Sequence, residues 1–179
     1  RECREIVVRR IGVMWWLTAI GLFESEEDIA NSPKQQYGDV QPGDIKYKDL
    51  NNDNVINSED EGFLGNINKP DKVFGLSLGG SYKGFDVRVL FQRTAGGYVW
   101  YSGDLIWPFA RFANVLADVK GNYWSKNNTP EQNAKVDYPR MTSDSTPNNY
   151  QASNYWARSS DSMRLKNLEI GYSLPTALC

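Results

Sequence analysis

Histidine is absent from this 179-residue chain. That absence removes Ser-His-Asp and Cys-His nucleophiles, imidazole general bases and imidazole zinc sites together. Cysteine is almost absent: Cys3 and Cys179, one near each end, leave no CxxC pair for redox or zinc chemistry and no disulfide framework. Charge of one sign is also missing. The 20 Lys and Arg are scattered among 22 Asp and Glu for a net charge of -2, so there is no basic footprint for DNA or RNA and no nucleic-acid partner is expected. The longest apolar run extends only from Ile11 to Phe23, short of the roughly 20 residues a spanning helix needs. A signal peptide fits it no better, because acidic ESEED follows where a small-residue cleavage site belongs.

What the chain has in plenty is aromatic. Six Trp, 10 Tyr and 7 Phe make up 13% of it, beside a polar mean hydropathy of -0.57. Soluble cores rarely need so many rings, whereas sugar-binding faces and membrane girdles do. With 40% apolar and 23% charged residues, wholesale disorder is excluded.

Along the chain, residues 11–23 read as a strand with a poorly patterned start, buried or lipid-facing. Residues 24–72 read as a long polar loop carrying at most a short helix near Glu24 to Ala30. Strict alternation then begins. Phe74, Leu76, Leu78 and Tyr82 fall on one face of a strand over 73–82, with Gly75, Ser77, Gly79 and Ser81 on the other. After Lys83-Gly84 it resumes over 85–93, with Phe85, Val87, Val89 and Phe91 against Asp86, Arg88 and Gln92. A two-residue turn at 83–84 would pair Tyr82 with Phe85, Leu78 with Val89 and Leu76 with Phe91. Residues 94–162 read as a second long loop, aromatic and broken by Pro108, Pro130, Pro139 and Pro147, with helical spacing only over 109–119. A fourth strand over 163–174 places Leu168, Ile170, Tyr172 and Leu174 opposite Asn167, Glu169 and Gly171, closing at Pro175.

The fold class that follows is all-β, an antiparallel transmembrane β-barrel fragment of about four strands with two long extracellular loops. Strands of roughly 9 to 11 residues suit a tilted crossing of a hydrocarbon layer. A second face of Gly, Ser and charged residues suits a wet lumen, which Asp86, Arg88, Gln92, Asn167 and Glu169 would line or ladder. Short links fall on one side and long ones on the other, the asymmetry of outer-membrane barrels. Tyr82, Phe85 and Tyr172 stand near the short turns, where an aromatic girdle belongs.

Between Asp49 and Asp60 oxygen side chains recur with calcium-loop spacing. Asp49, Asn51, Asp53, Asn57 and Asp60 would be ligands, with Val55 lending its carbonyl. The departures are Asn54 in the glycine position and Asp60 in place of Glu. Calcium is one expectation for this loop; an Asx turn satisfied by its own hydrogen bonds is the other. In either case the loop holds structure and performs no chemistry. Asp44 and Glu59 crowd the same turn-rich stretch, so no glycosidase carboxylate pair is read and no enzyme activity is expected.

Four blocks carry a family resemblance: PGDIKYKDLNNDNVINSED, GNINKPDKVFGLSLGGSYKGFDVRVLFQ, YW with TPEQNAKVDYPR, and MRLKNLEIGYSLP. In this order they resemble the C-terminal barrel region of SusC/RagA-type TonB-linked outer-membrane transporters, over roughly residues 20 to 178. The resemblance implies a 22-stranded plugged barrel in the outer membrane of a Gram-negative, Bacteroidetes-type bacterium. It also implies import of oligosaccharide or oligopeptide with a SusD-like surface lipoprotein, energised by TonB through a plug and N-terminal part absent from this chain. Residues 1–19 depart from the pattern, since WWLTAIGLF stands where a Gly-Tyr pair and a polar residue would precede Gly-Leu-Phe. With no initial Met and an ending at Cys179 before further strands, the chain reads as a fragment. Loop aromatics Trp100, Tyr101, Trp107 and Trp124 would contact substrate or partner, or else pack the loop onto itself. Two other functions fit the pattern: a soluble calcium-stabilised carbohydrate-binding β-sandwich, and a non-functional truncated product. A sandwich requires the alternating faces to pack against a second sheet.

Overall fold

A computed structural model describes residues 13–67, 69–103, 106–109, 114–143 and 146–174. The basic opening stretch, both cysteines, Pro175 and residues 110–113 of the expected helix lie outside the described residues. In chain order the elements are β1 (Val13–Trp16), β2 (Ala19–Leu22), α1 (Glu26–Ala30), β3 (Lys34–Gln35), β4 (Ile45–Tyr47), β5 (Val55–Ile56), β6 (Gly62–Ile67), β7 (Lys72–Tyr82), β8 (Phe85–Ala95), β9 (Gly97–Trp100), α2 (Pro130–Asn133), β10 (Ala157–Ser159) and β11 (Ser162–Tyr172). The fold is all-β. No helix among the described residues is long and apolar enough to cross a membrane.

The chain divides into two compact units. One holds residues 65–99 and 159–174 and is built on a three-stranded antiparallel sheet in the order β11-β8-β7. Each strand is 11 residues long. The register of β7 on β8 pairs Tyr82 with Phe85, Leu78 with Val89 and Leu76 with Phe91, as the alternation requires. The two-residue turn is made by Lys83 at φ 48° and Gly84 at φ 86°. Both lie in the left-handed region, the conformation whose twist matches that of the flanking strands. A side chain at position 84 would meet the Ser173 carbonyl oxygen at 3.0 Å, so glycine is needed for space as well as for φ.

Strand β11 carries a feature that the alternation alone did not resolve. Leu165 pairs with Phe91 and Leu168 with Val89, with a register shift between Leu165 and Asn167. The extra residue is a β-bulge. Leu165 and Leu168, an odd number apart, would otherwise point to opposite faces; the bulge returns Leu165 to the apolar side. That side now carries Phe74, Leu76, Leu78 and Tyr82, then Phe85, Val87, Val89 and Phe91, then Met163, Leu165, Leu168, Ile170 and Tyr172, with Gly80 among them and Lys72 and Arg93 at the end away from the Lys83-Gly84 turn. It is open to the surroundings. Phe74, Leu76, Leu78, Phe85, Leu165 and Leu168 each keep 52–56% of their surface, so no second sheet covers this face among the described residues.

The other unit, residues 14–64 and 100–158, has a buried core. Leu17, Ile45, Tyr47, Ile56 and Trp156 are at most 2% exposed, with Tyr37, Trp100, Trp107, Tyr138 and Tyr155 packed around them. Each fully buried ring or branched side chain contributes about 1.5 to 3 kcal/mol relative to exposure. The expected single strand over 11–23 is two short ones, because the chain leaves the ladder at Leu17. There its amide donates to the Ala152 carbonyl, and Leu17 bridges Ser153. Trp16, Leu17 and Phe23 are buried, the first of the two environments expected for this stretch. The stretch 24–72 is also more ordered than a plain loop. β2 pairs antiparallel with β4, and β3 pairs parallel with β5.

The short helix expected near Glu24 to Ala30 is α1, capped by the Ser25 side chain accepting from the Asp28 amide. The helix expected over 109–119 differs. Phe109 has φ 59°, 114–116 are irregular, and among the described residues of this stretch Ala117–Val119 alone turn, as a 3₁₀ helix. Of the apolar residues described here Val119 is buried, whereas Phe109 and Leu116 are exposed; periodicity alone does not separate a helix from an irregular stretch.

Candidate functional site

The Asp49–Asp60 loop is closed by hydrogen bonds to its own backbone. Asp49 accepts from the amides of Asn52 at 2.6 Å and Asn54 at 2.8 Å. Asp53 accepts from Val55 at 2.8 Å, and Asn51 from Asp53 at 3.0 Å. Asn52 and Asn54 both stand at φ 61°, which Asn tolerates better than other side chains. Asn57 caps the 3₁₀ turn Ser58–Asp60, accepting from the Glu59 amide at 2.7 Å. Asp60 is fully buried, with one carboxylate oxygen accepting from Leu50 at 2.8 Å and the other from Asn57 at 2.9 Å. Among the described residues no group of three or more Cys, Asp or Glu side chains is gathered as a metal site. The side-chain oxygens named for calcium accept backbone amides of the loop itself, those of Asn51, Asp53 and Asn57 in Asx turns.

The polar face of the three-stranded sheet is laddered across strands. Arg164 donates across to Gln92 at 3.3 Å and Arg88 stands 3.8 Å from Glu169, while Asn167 donates to Glu169 at 2.7 Å along β11 itself. Asp86 lies between Ser81 and Gly171 in register. The residues expected on the lumen side therefore share one face, interrupted by Leu90, which pairs with Ser77 and Asn167, and by Val73, which pairs with Thr94.

The loop aromatics fall into two settings. Trp16, Trp100, Trp107 and Tyr150 form a chain of ring contacts, with centroids 6.0, 6.4 and 4.6 Å apart in that order. The indole N–H groups of Trp16, Trp100 and Trp107 are buried without a hydrogen-bond partner. Tyr101 is 44% exposed and lies under the Arg158 guanidinium at 5.8 Å. Trp124 is buried, its ring lying where a Cβ at Gly43 would stand. Trp124 is thus buried, Trp100 and Trp107 are half-buried in ring contacts, and Tyr101 is the most exposed of the four.

A buried polar cluster was not legible in the sequence. Asp44, fully buried, receives Arg140 Nε at 2.7 Å and Nη2 at 3.3 Å, Asn149 Nδ2 at 2.8 Å and the Gln41 amide at 2.8 Å. Asn149 returns its side-chain oxygen to the Ile45 amide at 2.9 Å and its carbonyl to Trp156 Nε1 at 2.7 Å. Asn148 donates to the Ile45 carbonyl at 2.9 Å and accepts from Tyr47 Oη at 2.7 Å on its own carbonyl. Burial pushes the Tyr47 hydroxyl far above the usual phenol range. This network ties residues 41–47 to 140–156, making one folded body of the two stretches read as separate loops. A residue pattern in which the partners are so far apart gives no local signal.

The same unit contains an open cleft of about 1120 Å³, lined from segments 20–28 and 124–136 and by Pro42, Lys46 and Tyr155. Lys46 pairs with Asp28 at 2.7 Å and lies 5.6 Å from the Phe23 ring centre. The Lys46 hydrogen bond holds the Asp28 carboxyl below its ordinary value of 3.8, against the opposing effect of burial. Tyr155 donates to the Asp137 carbonyl at 2.8 Å, and burial raises its hydroxyl well above the phenol range.

With an exposed apolar sheet face and an ordered loop body established, likeness to known proteins carries weight. The chain is 31% identical over 138 residues to TonB-dependent receptor P3 of Formosa agariphila, covering 77% of the chain and 13% of that protein. It is 30% identical over 181 residues to TonB-dependent receptor P26 of the same organism, covering 96% of the chain and 16% of that protein. By sequence, the chain is related to TonB-dependent receptors. It spans less than a fifth of the length of either relative. No family model matches it.

Proposed function

We propose that this chain is a wall segment and external loop body of a TonB-dependent importer of SusC/RagA type, seated in the outer membrane of a Gram-negative, Bacteroidetes-type bacterium. The observation that carries the reading is the apolar face of β7, β8 and β11. Three strands of 11 residues present Phe, Leu, Val, Ile and Tyr outward on one side and a charged, glycine-rich ladder on the other. In water such a face and its edges invite aggregation. In a bilayer, strands of this length cross the hydrocarbon layer, and a closed barrel leaves no edge. The importer reading assigns Asp86, Arg88, Gln92, Asn167 and Glu169 to the lumen and residues 14–64 with 100–158 to the cell exterior. There they would meet an oligosaccharide or oligopeptide and a SusD-like lipoprotein, while TonB engages a part of the receptor outside this chain. Transport, and not catalysis, is the function of such a protein.

A calcium ion on Asp49, Asn51, Asp53, Val55, Asn57 and Asp60 belongs to the proposal as a reinforcement of a loop that already closes. Protection of residues 49–60 from protease by millimolar calcium, reversed by a chelator, would support it; insensitivity to both removes the ion.

The test of the importer reading is topological. A photo-cross-linking residue at Tyr101, which is exposed, should capture the surface lipoprotein from the outside of intact cells. Capture only from the periplasmic side would defeat the assignment of the loops.

A further inference from the structure

The apolar face of the three-stranded sheet carries charge of one sign, and at one end. Alternation places Lys72 and Arg93 on the side of Phe74, Leu76, Val89 and Phe91. The acidic residues of the three strands, Asp86 and Glu169, fall on the other side. The register also relates the two cations to each other. Lys72 stands opposite Ala95; Arg93, two residues before Ala95, stands opposite Phe74 on one flank and Met163 on the other. Lys72 and Arg93 are therefore diagonal cross-strand neighbours, at the roughly 7 to 8 Å that long side chains bridge. Both are exposed, and neither has a side-chain partner among the described residues. Asp161, next to this end of the sheet, accepts from the Gly96 amide instead. At the opposite end Lys83 is engaged, its ammonium lying over the Tyr82 ring at 5.2 Å.

The depth of the pair follows from strand length. At about 3.3 Å per residue, β7 extends over roughly 33 Å from Lys72 to Tyr82, and a tilt of about 40° leaves roughly 25 Å along the membrane normal. That is the height of the apolar band of an outer-membrane barrel. With the rings of Tyr82, Phe85 and Tyr172 at one boundary of the band, Lys72 and Arg93 reach the other, where their long stems carry the charges to headgroup level. On the lumen side the strands supply acceptors for their own cations, Glu169 beside Arg88 and Gln92 beside Arg164. On the apolar side they supply none, so the matching anion is one that the bilayer brings. We infer that Lys72 and Arg93 form a site for the phosphate of an anionic lipid, whose acyl chains lie along Phe74, Leu76, Phe91 and Leu165. The inference rests on the importer reading, which supplies the bilayer and places outside the cell the end of the sheet that leads into residues 100–158.

The experiment is native mass spectrometry of the whole receptor that carries this chain, titrated in detergent with phosphatidylglycerol and phosphatidylcholine of identical acyl chains. Phosphatidylglycerol should be retained about fivefold or more over phosphatidylcholine, and added salt should narrow the ratio. Lys72→Gln and Arg93→Gln should each weaken one phosphatidylglycerol by about fivefold, and together should remove it, with phosphatidylcholine unchanged. Lys83→Gln, at the other end of the sheet, should remove none. Equal retention of the two lipids, phosphatidylglycerol counts untouched by the double substitution, the same loss from Lys83→Gln, or displacement of the lipid by millimolar inorganic phosphate would overturn the inference. A second measurement uses the unmodified receptor, so that it decides even if a variant fails to assemble. Phosphatidylglycerol with a photoactivatable headgroup should label the peptides that hold residues 72 and 93, and labelling confined to the Lys83-Gly84 end overturns the site. No preference for phosphatidylglycerol in a receptor that still captures its lipoprotein through position 101 defeats this inference alone. Loss of that capture with the labelling at 72 and 93 intact defeats the importer reading alone.

Discussion

Asp60 uses both carboxylate oxygens to close its own loop, holding the amides of Leu50 and Asn57 in a site with no access to water. Asp60→Ala leaves those donors unsatisfied and should cost about 1 to 3 kcal/mol, seen as a lower thermal midpoint and faster cleavage within residues 49–60. Asp60→Asn keeps one acceptor and turns a donor toward another donor, so it should fall between. Asp28 gives a pH test. Its carboxyl is held below the ordinary 3.8 in the folded chain, so its contribution with Lys46 is fully present above pH 3.8 and is lost as pH falls through the lower folded value. The stability difference between the unmodified chain and Asp28→Asn should therefore vanish on acidification through that window, measured by denaturant titration at stepped pH. The sequence showed where these oxygens recur, because spacing is local. It did not show which way Asp60 turns, since burial and partner choice are decided by segments elsewhere.

Alternation made β7 and β8 legible down to the register, because a hairpin with a two-residue turn leaves no freedom once the apolar faces must agree. In β11 the same logic left the bulge unassigned, although Leu165 and Leu168 out of phase were its trace. At the level of elements the two faces should respond differently to charge. Val89→Arg should cost about 2 to 4 kcal/mol if the apolar face meets lipid near the midplane, whereas Gln92→Glu, opposite Arg164, should be mild. Folding yield into bilayers, read by heat-modifiable electrophoretic mobility of the whole protein, measures both. Equal loss from the two substitutions would contradict the facial assignment.

For the whole chain, residues 24–72 and 94–162 read as loops, and most of them form a body with its own core and its own buried ion pair. Low apolar content and frequent Pro, Gly and Asn hid this, because much of the body is held by side-chain-to-backbone bonds that periodicity cannot register. Removing one partner of a buried pair strands the other charge, so Arg140→Met or Asp44→Ala should cost about 3 to 5 kcal/mol. Hydrogen exchange should show the loss in residues 41–47 and 140–156 first, with the amides of β7, β8 and β11 still protected. Uniform loss of protection would mean that the two units open as one.

The contacts of Asp44 also impose an order in time. Its partners Arg140 and Asn149 lie 96 and 105 residues further along the chain, while the Lys83-Gly84 turn joins neighbours. The hairpin can form as soon as its own residues are free, on a scale of roughly microseconds. The Asp44 contacts must wait for a much longer search, and closing a loop of that length carries a larger entropic cost. Until then the Asp44 carboxylate stays hydrated. The Asp44 contacts are therefore expected to close after the hairpin turn, and a chain cut before residue 149 lacks the Asn149 amide that completes them.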